Sequence, residues 1–187
     1  MMAAVTMTPH YPGSPAPMPV SRLLVAALLL PLLAACGREA VRSTPPAAGS
    51  TRDWPTVTPA DPAAANAVTL RAISLVGTPY RYGGNTPDTG FDCSGLVNYV
   101  FRDMLDLRLP RSSGDLARAQ GPKIAPERLA AGDLVFFADR GVVYHVGIYV
   151  GEGRFVHAPS TGGSVRLDRL DGHYWRDHYS GAKRVLL

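Results

Sequence analysis

One change of hydrophobic period, near Gly132, constrains this chain more than any other feature. Upstream of it, apolar residues recur at helical spacing. In "PADPAAANAVTLRAISLVGTPY", Ala65, Val68, Ala72 and Leu75 share one face. Asp61 is a candidate N-cap there, Pro62 suits the first helical position, and Gly77 with Pro79 ends the run. "CSGLVNYVFRDML" spaces Leu96, Val97, Val100, Phe101 and Met104 in the same way, and "LPRSSGDLARAQG" offers Ser112 or Ser113 as cap of a short third helix. Downstream, "GDLVFFA", "YHVGIYVG" and "GRFVHAPS" are short, rich in β-branched and aromatic residues, and punctuated by glycine, with a last strand expected at "AKRVLL". Helices first and an antiparallel sheet after them define an α+β domain, and residues 59–187 are enough chain to close one core.

What precedes that domain reads as export machinery. "SRLLVAALLLPLLAAC" carries one arginine, an apolar run too short to span a bilayer alone, small residues and then Cys36. Leu33-Ala34-Ala35-Cys36 resembles the bacterial lipobox, which implies cleavage after residue 35 and acylation of Cys36. Several acyl chains on one residue hold firmly, since each buried methylene adds about 0.8 kcal/mol. Gly37 in place of aspartate implies, by resemblance to Gram-negative sorting rules, the periplasmic face of the outer membrane. The first seventeen residues fit no signal peptide, whereas a start at Met18 gives an ordinary lipoprotein leader. Residues 36–58 then read as the lipidated cysteine and a disordered Pro/Ala/Ser/Thr/Gly tether. Some 20 extended residues reach roughly 60 Å at about 3 Å each.

Cysteine and charge narrow the function. With Cys36 as the mature terminus one thiol remains, Cys93, in a compartment where structural cysteines pair. It is therefore a small buried core residue or one kept for its reactivity. Removing the leader takes Arg22 from 19 basic residues and leaves 18 against 15 acidic, a net of +3. That excess suits an anionic wall polymer and gives no case for nucleic acid. Cys93 falls in the first turn of the second helix, behind Asp92 or Phe91 at the cap. Unpaired backbone N–H groups there favour thiolate, and such positions lower a cysteine pKa from about 8.5 into the range of roughly 3.5–7.5. A thiolate nucleophile needs a base and a group to orient that base. Two histidines, His145 and His157, stand on adjacent expected strands.

The motifs "GTPYRYGG", "FDCSGLV", "LPRSS", "GDLVFF", "HVGIYVGEGRFVHAPS" and "AKRV", in this order, resemble the NlpC family of papain-like cell-wall cysteine peptidases. The resemblance runs from about residue 68 to 187. It implies a papain-like fold, N-terminal helices packed on a central antiparallel sheet, and hydrolysis of peptide bonds in peptidoglycan stem peptides or crosslinks. It implies Cys93 as nucleophile, His145 as base, His157 as the orienting residue, and Tyr80 beside the backbone N–H of Cys93 at the oxyanion. Asp92, Ser94, Tyr82 and Arg111 follow as candidate substrate contacts. Asp92 is equally readable as an N-cap and Arg111 as a solvated side chain. Gly83 and Gly84 read as a tight turn, His173 and His178 as surface or packing residues, and Trp175 and Tyr179 as edge packing. "GGNTPDTGFDC" is slightly longer than the form associated with close relatives.

Two other classes compete: a fold retained as a silent wall-binding module, and a zinc site of Cys93, His145 and His157. Three filled catalytic positions argue against the first, and the absence of a carboxylate base nearby argues against the second. No metal or cofactor is called for. The expected partners are peptidoglycan stem peptides and, through the lipid, a membrane. A regulatory adaptor or protease, and the bond cut, stay open. One geometric condition is fixed: His145 and His157 must share a face, which requires residue 157 to lie opposite 147, through a three-residue or bulged hairpin around "GEGR".

Overall fold

The computed structural model describes residues 52–119, 121–160 and 163–186. The leader, the Met18 start, the lipobox with Cys36 and the tether up to residue 51 lie outside the described residues. Helix α1, Pro62–Ser74, is capped by the Asp61 side chain, which accepts from the Ala64 N–H, with proline in its first turn. Ala65, Val68, Ala72 and Leu75 are buried, as their spacing requires. A small hairpin, β1 (Asn85–Thr86) and β2 (Gly90–Phe91), leads into α2, Cys93–Leu105. Leu96, Val97, Val100 and Phe101 are fully buried, whereas Met104, expected on the same face, is 37% exposed because it sits in the last turn. Ser112 caps the short α3, Ser113–Arg118, by accepting from the Asp115 N–H.

The remaining strands are β3 (Lys123–Ile124), β4 (Leu134–Asp139), β5 (Val142–Gly151), β6 (Arg154–His157), β7 (Arg166–Arg169) and β8 (Tyr179–Lys183). They form one antiparallel sheet in the order β3-β8-β4-β5-β6-β7. A one-and-a-half-turn helix, α4 (His173–His178), precedes β8. The architecture is the α+β, papain-like arrangement expected. Three local readings change. The last strand begins at Tyr179 rather than at Ala182. The polar strand β7 and α4 carry no hydrophobic period and were not expected. The packed unit also starts before Pro59: Trp54 meets Tyr149 at 6.3 Å between ring centroids, and Val57 bridges to Ala130.

The β5–β6 hairpin satisfies the face condition by a bulge. Glu152 and Gly153 both have positive φ, 52° and 70°, the two-residue primed turn that matches strand twist. Alone, that turn would place residue 157 opposite 148. The register shift between Tyr149 and Gly151 absorbs one residue, so Ile148 pairs with Val156 and Tyr149 with Phe155. His145, Tyr149, Phe155 and His157 consequently share one face. Gly147, on the same face, must be glycine: a Cβ there would lie 2.6 Å from the Phe155 ring and 3.3 Å from His157 Cβ.

The sheet thereby separates two cores. Leu134, Phe136, Val146, Ile148 and Val156 face α1 and α2, where full burial of each such side chain stabilises by about 1.5–3 kcal/mol. Val135, Phe137, Tyr149, Phe155, Leu170 and Trp175 form the opposite cluster, against which Trp54 and Tyr179 pack.

Candidate active site

The head of α2 is held by an ion pair inside its own cap. Asp92 accepts from the Gly95 N–H (2.7 Å), the Gly83 N–H (2.9 Å) and the Ser94 hydroxyl (3.1 Å). Arg111 donates to both of its oxygens at 2.8 and 2.7 Å, and to Ser94 Oγ at 2.7 Å. Burial raises the Asp92 carboxyl, and the hydrogen bonds and charge of Arg111 with the Gly95 N–H outweigh it, so its pKa is lowered. Asp92 is thus the N-cap, and Arg111 is paired with it while its side chain stays 46% exposed. The 83–84 turn is packed directly on this helix start, since a Cβ on Gly95 would lie 2.0 Å from the Gly84 carbonyl oxygen.

Cys93 is free and half-buried at the first helical position. The expectation of a lowered thiol pKa does not hold for the free protein. Burial pushes it up and the Asp92 carboxylate adds to the rise, against partial opposition from the backbone N–H groups of Val146, Ser94 and Cys93 itself. The contact with Val146 is the decisive placement, because it brings the sulfur onto β5 at the residue after His145. Cys93 also lines a cleft of ≈ 510 Å³ with Tyr80, Tyr82, Gly83, Asp92, Ser94, Arg111, Ser112, Ser113 and Tyr144. Every proposed substrate contact is therefore on one wall system, and Ser112, Ser113 and Tyr144 join it. Burial, then the Cys93 and Asp92 charges, raise the Tyr80 hydroxyl and keep it a donor.

The two histidines do not line that cleft and are 3% and 0% exposed. His145 Nε2 and His157 Nδ1 are 2.9 Å apart. Burial, then repulsion by His157, lowers His145 to about 3, and burial lowers His157 as well, so both rings are neutral at pH 7. Trp175 stacks on His145 at 5.3 Å and 23°, with Phe137 at 5.9 Å. One ring nitrogen of each histidine is spent on the other. Contrary to the expectation of no nearby carboxylate, Asp168 lies 3.1 Å from His157 Nε2 and also accepts from Trp175 Nε1 at 2.7 Å and Arg166 Nη2 at 2.8 Å. The sequence offered no signal for it: "VRLDRL" matches no motif, and only the β6–β7 pairing of Phe155 with Asp168 brings it diagonal to His157. His173 and His178 lie outside the site; His178 stacks on Tyr174 at 4.3 Å.

Residues 77–184 match the model of the NlpC/P60 family. The chain belongs to the NlpC/P60 family. It is 45% identical over 119 residues to murein DD-endopeptidase MepH of Escherichia coli K12, a match covering 62% of this chain and 44% of that protein. It is 43% identical over 128 residues to the gamma-DL-glutamyl hydrolase of Bacillus subtilis 168, covering 67% and 30%. Among solved structures it is similar to an NlpC/P60 family protein from Bacillus cereus ATCC 10987, at 34% identity and a TM-score of 0.62, covering 72% of this chain and 42% of that one. The match spans less than half the length of each of these three proteins.

Proposed function

We propose that this NlpC/P60 domain is a cysteine endopeptidase that cuts peptide bonds in peptidoglycan stem peptides or crosslinks, carried on a lipid anchor at Cys36. The observation that supports it most is the thiol at the head of α2 against Val146, with the hydrogen-bonded pair of neutral, buried histidines beginning one residue away. The names of the similar proteins, a murein endopeptidase and a glutamyl hydrolase, support the substrate class.

In this reading Cys93 Sγ attacks the carbonyl carbon while its proton passes to His145, and the carbonyl electrons move to oxygen. The Cys93 N–H and the Tyr80 hydroxyl donate to that oxyanion, at several kcal/mol per well-placed donor. The imidazolium gives its proton to the leaving nitrogen, the C–N bond breaks, and an acyl thioester remains. Water, deprotonated by the same ring, releases the acid and restores the thiol. A thiol that is protonated in the free protein makes this proton transfer part of the attack rather than a preformed ion pair. Incubating the protein with purified peptidoglycan tests the assignment. Release of soluble peptides should be blocked by iodoacetamide and unaffected by EDTA; the opposite pattern would replace the thiol with a metal. For the anchor, metabolic labelling with palmitate should be lost in Cys36→Ala, and labelling that survives would remove it.

A further inference from the structure

We propose that Asp168, held in place by Trp175 and Arg166, is a positioning residue that fixes the tautomer of both histidines and leaves His145 with its lone pair on Nδ1. The inference deepens the peptidase reading and rests on it for its catalytic consequence. Its logic begins at the far end of the chain of contacts. An ionised carboxylate only accepts hydrogen bonds, and Asp168 receives them from Trp175 Nε1 at 2.7 Å and from Arg166 Nε and Nη2 at 3.1 and 2.8 Å. These donors, with His157, bring the carboxyl well below the usual carboxylate range despite its burial. His157 Nε2, 3.1 Å away, must therefore carry a proton to donate.

A neutral imidazole has one donor and one acceptor nitrogen. With Nε2–H committed to Asp168, His157 Nδ1 is the acceptor. His145 Nε2, 2.9 Å from it, must then be the donor. His145 Nδ1 is left as the basic nitrogen, the only ring position from which it can take the Cys93 proton. Trp175 enforces the result twice: its indole N–H holds Asp168, and its ring stacks on His145 and meets His157 edge-on at 4.8 Å. Asp168 is on the histidine side of the sheet and does not line the Cys93 cleft. Its loss should leave substrate binding intact.

The test combines tautomer and turnover. In the full-length protein labelled with nitrogen-15 histidine, long-range proton–nitrogen correlation at neutral pH should show His145 and His157 both protonated at Nε2. Asp168→Ala removes the acceptor of the His157 Nε2–H, so nothing holds the proton on that nitrogen and the Nδ1–H form of His145 should appear. Its kcat should fall by about 10²-fold, the lower end of what a positioned proton-transfer group contributes, with KM unchanged. Trp175→Phe keeps the ring but removes the donor, and should give a smaller loss in kcat alone. A wild-type spectrum with His145 protonated at Nδ1 overturns the proposal without any variant having to fold. So does an Asp168→Ala protein with wild-type tautomers and kcat. A wild-type protein that shows the predicted tautomers yet cleaves no peptidoglycan would instead defeat the peptidase reading.

Discussion

The two faces of the sheet are built from different materials. The face toward α1 and α2 is chiefly aliphatic: Leu134, Val146, Ile148 and Val156 with one phenylalanine, Phe136. The opposite face carries Phe137, Tyr149, Phe155 and Trp175 around His145 and His157. Aliphatic packing is non-directional, so that face stabilises the domain without specifying any ring orientation. Aromatic stacking and hydrogen bonds have preferred geometry, and that face fixes where imidazole nitrogens point. The thiol at the head of α2 and the histidine pair are both anchored on β5, which turns Val146 to one side, against Cys93, and His145 to the other. Stability and chemistry are thereby assigned to alternate residues of one strand.

Breaking the comparison on the chemical side should give the largest effect. His145→Ala should lower kcat by roughly 10²–10⁴-fold, the usual contribution of a positioned acid–base group, with little change in the far-ultraviolet dichroism of the fold. Steady-state kinetics on a defined muropeptide would show it; retained turnover would mean the base is elsewhere. On the other face, Ile148→Ala should cost about 2–5 kcal/mol in unfolding free energy, from lost burial and a residual cavity. Its kcat per folded molecule should stay near wild type. Urea denaturation paired with active-site titration separates the two quantities, and a matching loss of kcat would show that the faces are not independent.

The histidines also tie the two roles together through pH. Both have pKa values lowered by burial, His145 to about 3, against about 6.5 in the unfolded chain. The unfolded state therefore binds protons first as pH falls. Stability is complete above about pH 6.5 and drains down to about pH 3, by on the order of 1.4 kcal/mol per pH unit for each histidine still neutral in the fold. Urea midpoints measured between pH 7 and 4 should fall accordingly and flatten in a His145→Gln, His157→Gln double variant. A wild-type midpoint independent of pH would contradict neutral buried rings. The smallest effect belongs to neither face: Arg118→Ala removes an exposed pair with Asp115, screened by solvent, and should leave the urea midpoint where it is in wild type.

What could be read beforehand follows the same division. Alternation along "YHVGIYV", together with the glycines of "GEGR", was enough to require that His145 and His157 share a face, because a one-residue slip would bury the wrong set. The bulge between Tyr149 and Gly151 that achieves it was legible only as one of two options. Asp92 as a cap was legible because capping is local. Arg111 as its partner was not, since that pairing spans nineteen residues. Asp168 and Trp175 lie in β7 and α4, elements held by tertiary contacts rather than by their own period. The thiol pKa was misread for a related reason: the helix terminus is local and visible, whereas the burial that outweighs it is collective.

The central claim is that one sulfur, Cys93, forms and breaks the acyl bond. Liquid chromatography and mass spectrometry of purified muropeptides, digested by wild type beside Cys93→Ala of equal thermal stability, tests it most directly. Wild type should convert each peptide to two products whose masses sum to that of the substrate plus one water, with the masses naming the bond, and Cys93→Ala should leave the substrate untouched. Product formation by Cys93→Ala at a rate near that of wild type would contradict the account.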